Sequence, residues 1–257
     1  MGLIDTHAHL TFDELYADLP AVLQRSCQAD VTRWITVGTD PEHNRKAVEL
    51  ARRHENIFAA VGFHPHYAGD ISENDMQALR AMASEKKVVA IGETGLDFHY
   101  NFSKQDAQRH IFRKQLSLAA ECGLPVVVHC RNAFEEVVAI LDEFAGSLKN
   151  VVFHCYSGTA DQTRVLLDRG WHISFTGIVT FKKSDEARAA AKVVPLERLM
   201  IETDCPYISP EPVRNTRPCE PAMLIHTAKK IAELHEMSFE DFAAAVTRTS
   251  SKFFDLG

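Results

Sequence analysis

Short apolar runs recur along this chain, and segments with helical periodicity separate them. Runs that are apolar on both faces are typical of parallel strands covered by helices. Eight such runs alternate with eight helical segments, an order that predicts the α/β class, a single (β/α)8 TIM barrel. The predicted strands are Leu3–His9, Trp34–Gly38, Ile57–Gly62, Val88–Glu93, Pro125–His129, Val151–His154, His172–Thr176 and Leu199–Asp204.

Several of the helical segments carry recognisable end signals. The segment after Ser103 begins with Ser-x-x-Asp, which predicts a capping box, and it ends at Cys122-Gly123 with a glycine cap. An extra C-terminal helix is predicted near Phe239–Phe254. One apolar helix face is predicted from Phe134, Val137, Val138, Leu141 and Phe144.

Chain length favours one domain. The 257 residues are close to the roughly 250 typical of one α/β barrel, so we expect a single domain over residues 1–257. An open doubly wound sheet is the alternative, but it needs a glycine-rich turn after its first strand, which Asp5-Thr6-His7-Ala8-His9 does not provide. Cys205–Pro221 holds five of the ten prolines, and we interpret it as a functional loop after the eighth strand.

Composition limits the classes of protein and the cellular compartments that suit this chain. The net charge of −7 argues against a protein that coats nucleic acid, which needs a basic surface. The six cysteines lack C-x-x-C spacing, which suits a reducing compartment. No apolar run approaches the ~20 residues that a membrane span requires, and the first residues do not form a signal peptide. We therefore expect a cytoplasmic protein without membrane contact, and a monomer.

The side chains that can bind metals stand at the ends of predicted strands. Barrel active sites form at the carboxyl ends of the strands, so these side chains are expected to converge. Four imidazoles and two carboxylates exceed the needs of one tetrahedral ion but suffice for two divalent ions, with Glu93 as the natural bridge. The imidazoles favour Zn²⁺ or Mn²⁺. The candidate ligands are His7, His9, Glu93, His129, His154 and Asp204.

Strand alternation adds two neighbours to this set. His7 and His9 have the same parity and point to the same side of the sheet. By the same parity, Arg131 accompanies His129 and Glu202 accompanies Asp204.

Six motifs, five of which contain these residues, resemble the TatD family of metal-dependent deoxyribonucleases, within the amidohydrolase superfamily. The resemblance extends from residue 4 to about residue 255. The motifs are Asp5-Thr6-His7-Ala8-His9, Gly62-Phe63-His64-Pro65-His66, Gly92-Glu93-Thr94-Gly95-Leu96-Asp97, His129-Cys130-Arg131, His154-Cys155-Tyr156-Ser157-Gly158 and Glu202-Thr203-Asp204-Cys205-Pro206.

The resemblance implies specific roles. One ion would be held by His7, His9, Glu93 and Asp204, and the other by Glu93, His129 and His154. It also implies that His64 contacts a substrate phosphate, and the family is commonly regarded as Mg²⁺-dependent. Glu93 stands where many related amidohydrolases carry a modified lysine.

One segment departs from the family pattern. Relatives often show Arg-Gly-Lys-x-Asn-x-Pro after the eighth strand, whereas this chain has Arg214 followed by a longer sequence with Cys219 in place of the asparagine. The substrate contacts of the segment Arg214–Pro221 are therefore left open.

The expected reaction is phosphodiester hydrolysis by a water that two divalent ions activate. Asp204 would accept the proton of this water and Glu93 would bridge the ions. Glu202 would either lie behind the metal ligands and position them by hydrogen bonds, or be a buried acid paired with a nearby cation. The expected substrate is DNA, single-stranded or at 3′ ends.

Phosphate contacts are assigned to His64, Arg131 and Arg214. The alternatives are a structural hydrogen bond for His64 and an ion pair with Asp97 or Glu202 for Arg131. With Arg217 and Lys182-Lys183, the arginines would make one end of the barrel locally basic. The aromatic side chains Phe98, Tyr100 and Phe102 are either core residues or a surface on which nucleobases stack. Two other functions stay open, an amide, lactone or ester hydrolase and a non-catalytic metal- or partner-binding barrel.

Overall fold

The computed structural model describes residues 2–256. Within that range, eight β-strands alternate with ten α-helices and four short 3-10 helices. The strands are β1 (Leu3–Ala8), β2 (Val31–Val37), β3 (Ile57–Val61), β4 (Val88–Asp97), β5 (Val126–Arg131), β6 (Val151–Phe153), β7 (His172–Phe175) and β8 (Leu199–Ile201). The α-helices are α1 (Asp13–Tyr16), α2 (Leu19–Gln28), α3 (Pro41–Arg53), α4 (Glu73–Ala83), α5 (Gln105–Cys122), α6 (Phe134–Asp142), α7 (Ala160–Asp168), α8 (Asp185–Val193), α9 (Leu224–Leu234) and α10 (Phe239–Phe254). The 3-10 helices are Pro65–Tyr67, Gly177–Thr180, Leu196–Arg198 and Pro221–Met223.

The eight strands form one sheet in chain order. The strands from β3 to β6 pair in parallel with their sequence neighbours, as do β7 and β8. The first and last strands also meet, since Ala8 and Cys205 form a parallel bridge. A parallel sheet whose last strand returns to its first has the topology of a (β/α)8 barrel. The predicted α/β TIM-barrel fold class is therefore confirmed.

All eight predicted strands are present, but each ends at least one residue away from its predicted end, and β4 and β8 differ most. β4 continues past Glu93 to Asp97 because it keeps pairing with β5 after a bulge between Ile91 and Thr94. β8 ends at Ile201, so Asp204 follows the strand in a left-handed conformation with φ of 56°. Most apolar side chains of the strands are buried, as the sequence pattern predicts, and β1 also buries the polar side chains of Asp5, Thr6 and His7.

The helix ends differ from prediction at one site. The Ser103 hydroxyl donates to the carbonyl of His66, so the predicted capping box is wrong, and α5 begins at Gln105 without a side-chain cap. Its C-terminal cap is Gly123 in the left-handed region, as predicted. α6 buries the predicted apolar face, although Phe144 lies beyond its end. The extra C-terminal helix has the predicted bounds.

The contacts between Cα atoms group the chain into two compact units. One is Thr36–His154, and the other comprises the described residues on both sides of it. The single domain over residues 1–257 stays a prediction, and its end residues Met1 and Gly257 lie outside the described range. Between residues 2 and 256, no helix is long and apolar enough to cross a membrane. The cytoplasmic location and the monomeric state stay predictions.

Candidate metal centre and substrate site

Three of the predicted ligands meet where β1 and β8 end, and we call His7, His9 and Asp204 the β1–β8 cluster. His7 lies in β1 and His9 directly follows it, so alternation brings both imidazoles to one side with their Nε2 atoms 3.3 Å apart. Oδ1 of Asp204 lies 3.8 Å from Nε2 of His7 and 3.4 Å from Nε2 of His9. These three ligand atoms are close enough together to hold one ion.

The backbone and a buried acid position Asp204. Its amide donates to the His7 carbonyl at 3.0 Å, and the His9 amide donates to the Cys205 carbonyl at 2.9 Å. The carboxylate of Asp5 accepts hydrogen bonds from both the amide and the hydroxyl of Thr203, at 3.0 and 2.6 Å. Burial raises the pKa of Asp5 to about 7. Asp5 therefore fixes the residue that immediately precedes Asp204.

Three histidines of the other unit surround the buried carboxylate of Glu93, and we call His64, Glu93, His129 and His154 the β4–β5 cluster. Oε1 of Glu93 lies 2.7 Å from Nε2 of His154, 2.8 Å from Nδ1 of His129 and 3.5 Å from Nε2 of His64. Burial by itself would raise the pKa of Glu93, but the charges and hydrogen bonds of these histidines hold it well below its usual value. A buried anion lined by imidazole nitrogens suits a divalent cation.

Asp97, at the end of β4, orients His129 within this cluster. Its Oδ2 lies 3.0 Å from Nε2 of His129 and 3.0 Å from Nε2 of His66. Burial would lower the pKa of His129, but the hydrogen bonds with Asp97 and Glu93 raise it above its usual value. Because Nε2 donates to Asp97, the atom of His129 that is turned to Glu93 and can bind a metal is Nδ1. A carboxylate behind a ligating histidine is a recurrent feature of metal sites.

His64 carries its ring proton on the nitrogen that is nearer to Glu93. Its Nδ1 accepts the backbone amide of His66 at 3.1 Å, so Nδ1 carries no proton. Burial holds the pKa of His64 well below its usual value, which keeps the ring neutral. The single ring proton is therefore on Nε2, the atom that faces Glu93. His64 is close enough to Glu93 and His129 to join them around an ion, but this tautomer makes it a donor to an anion instead.

Side-chain amides form hydrogen bonds with the backbone segments that carry this cluster. β3 ends at Val61, and Asn44 exchanges two hydrogen bonds with the backbone of Gly62, at 2.7 and 2.9 Å. Gln115 does the same for Phe63, at 2.7 and 3.0 Å, and Gln108 for Asp97, at 2.8 and 3.0 Å. The polar backbone groups that lead into His64 and Asp97 are thus paired with side chains of α3 and α5.

Glu202 and Arg131 each had two predicted interpretations. Glu202 is buried, with 1% of its surface exposed, and it accepts hydrogen bonds from the Cys155 amide and, at 3.4 Å, the Thr6 hydroxyl.

Arg131 is exposed, and its guanidinium lies over the ring of Tyr100 at 4.6 Å. Because histidines and backbone amides occupy Asp97, the described residues form no Arg131–Asp97 ion pair.

The loop after β8 carries the remaining predicted contacts. Arg214 is exposed and lies over the Phe181 ring at 3.8 Å, with Glu211 Oε1 at 4.0 Å. Cys219, the departure from the family pattern, is fully buried, and burial raises its thiol pKa to about 12. The altered position therefore contributes to the packing of the loop.

Sequence reasoning gave no role to His66, nor to Asp97 beyond a possible ion pair with Arg131, although both residues stand in the quoted motifs. Sequence spacing could have identified both, because side chains an even number of residues apart in an extended segment point to the same side. Asp97 follows Glu93 by four residues, and His66 follows His64 by two. Gln108 and Gln115 were also missed. They are seven residues apart on a helix face that is otherwise apolar, a spacing that marks polar side chains directed into the interior.

Comparisons with known proteins agree with this geometry. The TatD related DNase family matches residues 4–255 of the chain. The uncharacterized metal-dependent hydrolase YabD of Bacillus subtilis is 39% identical over 252 residues, with 98% of both chains covered. The 3′-5′ ssDNA/RNA exonuclease TatD of Cronobacter sakazakii is 38% identical over 235 residues, covering 90% of this chain and 89% of the relative.

A solved structure has the same fold. The structure of YJJV, a TatD homolog from Escherichia coli, superimposes with a TM-score of 0.94 at 28% identity, covering 99% of this chain and 98% of that one. The family match spans nearly the whole described chain, and both clusters carry the histidine and carboxylate donors that a metal-dependent hydrolase requires. The chain belongs to the TatD related DNase family and is a metal-dependent hydrolase.

Proposed function

We propose that this hydrolase is a deoxyribonuclease that cleaves phosphodiester bonds in DNA, with single strands or 3′ ends as substrate. The observation that carries the proposal is that Nδ1 of His64 accepts the His66 amide, which leaves the ring proton on Nε2, 3.5 Å from Oε1 of Glu93. A hydrogen-bond donor beside a metal-binding carboxylate suits an anionic substrate oxygen better than the neutral carbonyl of an amide or lactone. The relatives named 3′-5′ ssDNA/RNA exonuclease support the same substrate class.

The proposed ligands of two divalent ions are the residues of the two clusters other than His64. His7, His9 and Asp204 would hold one ion, His129 and His154 the other, and Glu93 would bridge them. Zn²⁺, Mn²⁺ and Mg²⁺ are the candidate ions, because imidazoles favour the first two and carboxylates accept the third. Bound ions of this kind would lower the pKa of a water molecule and neutralise phosphate charge.

The protein residues would share the remaining tasks. Asp204 would accept the proton of the attacking water, since its carboxylate follows β8 in a fixed backbone conformation. His64 would donate a hydrogen bond to a phosphate oxygen, and Arg131 and Arg214 would contact further phosphates. Glu202 would position the chain beside His154 by accepting the Cys155 amide.

The decisive experiment follows cleavage of end-labelled single-stranded DNA. Metal-stripped protein would be reloaded separately with Mg²⁺, Mn²⁺ or Zn²⁺. We expect cleavage that depends on the metal, that is lost in Glu93→Ala and that is kept in Glu49→Ala, which removes an exposed carboxylate from α3. The product ladder would distinguish exonuclease from endonuclease action.

A panel of small substrates tests the reaction class. Hydrolysis of bis-p-nitrophenyl phosphate, without hydrolysis of lactones or amides, is expected. Hydrolysis of lactones alone would contradict the nuclease proposal and favour the amide or ester hydrolase. Metal binding without any hydrolysis would favour the non-catalytic barrel.

A further inference from the structure

An exposed aromatic pair follows β4. Tyr100 and Phe102 expose 49% and 71% of their surfaces. Their rings are nearly parallel, at 8°, with centroids 5.5 Å apart. Phe98, the third aromatic residue of this segment, is half-buried under the guanidinium of Arg109, at 5.2 Å. Only the first two therefore present flat apolar surface to solvent.

A cation accompanies the pair. The guanidinium of Arg131 lies over the Tyr100 ring at 4.6 Å, a cation–π arrangement that keeps this charge beside the aromatic surface. Flat rings next to an exposed arginine match the two parts of a nucleotide, because bases stack on aromatic faces and phosphates pair with guanidinium groups.

Asp97 connects this surface to the β4–β5 cluster. Its Oδ1 accepts the backbone amides of His99 and Tyr100, at 2.9 and 3.0 Å. Its Oδ2 receives hydrogen bonds from His66 and His129. One carboxylate thus fixes both the start of the aromatic segment and a candidate metal ligand.

His66 makes a second connection. Its ring lies edge-on to Phe102, with centroids 4.8 Å apart, and to Tyr100, with centroids 5.7 Å apart. The Ser103 hydroxyl, directly after Phe102, donates to the His66 carbonyl at 2.6 Å. The segment is therefore tied at both ends to the residues beside the cluster, so the aromatic pair stands at a fixed place relative to Glu93.

We propose that Tyr100, Phe102 and Arg131 form a nucleobase platform, on which a base of single-stranded nucleic acid stacks next to the phosphodiester that is cleaved. The platform rests on the proposed nuclease function and adds a base-binding subsite to it. Stacking is tolerant of base identity because every base has an aromatic face. The platform therefore favours single strands, whose bases are unpaired, without selecting a sequence.

Binding is tested with an oligonucleotide that contains 2-aminopurine, whose fluorescence falls when the base stacks. The full-length protein is used with a chelator, so that the probe stays intact. We expect quenching by the wild type and by Phe102→Tyr. Phe102→Ala and Phe102→Leu are expected to bind about tenfold more weakly. The leucine variant keeps an apolar side chain and so separates stacking from general hydrophobic contact.

Phe58→Ala is the matched control. Phe58 is half-exposed in β3 with the ammonium of Lys87 over its ring at 4.6 Å, the same distance as in the Arg131–Tyr100 pair. It lies at the start of β3 and Lys87 directly precedes β4, so this pair is at the opposite end of the strands from Asp97. Phe58→Ala is expected to bind the probe as the wild type does.

Abasic oligonucleotides separate the platform from the hydrolytic reaction. With metal restored, the wild type is expected to cleave a normal oligonucleotide with a lower KM than one that lacks the base next to the cleaved bond, and Phe102→Ala is expected to lose this difference. Equal probe binding by wild type, Phe102→Ala and Phe102→Leu would overturn the platform. Binding of a protein at this surface, without binding of the nucleic-acid probe, would also overturn it. Probe binding that requires Phe102, without cleavage by any metal-loaded form, would support the platform and contradict the nuclease function.

Discussion

His172, at the start of β7, is a histidine that neither cluster uses, and its environment predicts how stability depends on pH. Burial, together with the charges of Arg198 and Lys252, lowers its pKa from 6.5 to about 4, against an opposing hydrogen bond with the backbone of Glu197. The ring lies edge-on to Phe253, with centroids 4.8 Å apart. The folded protein therefore keeps this histidine neutral at a pH where the unfolded chain protonates it.

The direction of the effect follows from these two pKa values. Above pH 6.5 the imidazole of His172 is neutral in both states and has no effect on the free energy of unfolding. As the pH falls below 6.5, only the unfolded chain takes up the proton, so stability decreases until about pH 4. The interval of about 2.5 pH units, at ~1.4 kcal/mol per unit, amounts to about 3.5 kcal/mol. Between pH 7.5 and pH 5 the loss is about 2 kcal/mol.

The substitution His172→Gln removes the titration and keeps a side chain that can donate to the Glu197 carbonyl. The effect is measured by urea unfolding of the protein in the presence of a metal chelator, followed by far-ultraviolet circular dichroism at pH 7.5 and pH 5. The wild type is expected to lose about 2 kcal/mol more than the variant over this interval. His110→Gln, at an exposed position on α5, is the control and should follow the wild type. Equal losses in wild type and His172→Gln would refute the reasoning.

Three further predictions concern the site. Asp97→Asn should weaken metal binding about 10- to 100-fold in calorimetric titrations, because His129 loses its orienting carboxylate; unchanged affinity would contradict this role. His64→Asn keeps an acceptor for the His66 amide but removes Nε2, so it should raise the KM for oligonucleotides about tenfold and leave metal affinity unaltered. A loss of metal affinity in that variant would show that His64 is a ligand. Gly95→Ala should lower stability in urea by more than about 3 kcal/mol, since φ is 145° and a Cβ would collide with the His129 carbonyl. Gly123→Ala, with φ of 64° and open space, should cost only about 1 kcal/mol; equal costs would count against the steric argument.

The fold was predictable because its signal repeats. Each strand is an apolar run and each helix has an apolar face, so periodicity alone predicted eight strands and the helix over Phe239–Phe254. Strand ends were harder to predict, since pairing decides them. β4 continues to Asp97 because β5 offers partners as far as Arg131, and the mixed sequence Glu93-Thr94-Gly95 conceals that continuation.

The candidate site was predictable as a set of residues and less so as a set of contacts. Parity brought His7 and His9 together, and the resemblance added His64. The ends of the predicted strands supplied the remaining members, Glu93, His129, His154 and Asp204. Whether a histidine binds a metal or donates to an anion depends on the partner of its other nitrogen, and only the fold shows that His64 accepts the His66 amide. The Tyr100 ring beneath Arg131 likewise depends on how the segment after β4 meets the end of β5, which local sequence does not encode.

The amides of Asn44, Gln108 and Gln115 have a consequence for local motion. Backbone groups at Gly62, Phe63 and Asp97 are bonded to side chains of α3 and α5, so these groups can open to solvent only when those helices shift. Their hydrogen exchange should therefore be as slow as that of the helices, although they flank the reactive end of the unit. A site built in this way keeps His64 and Asp97 in place while a substrate binds and leaves.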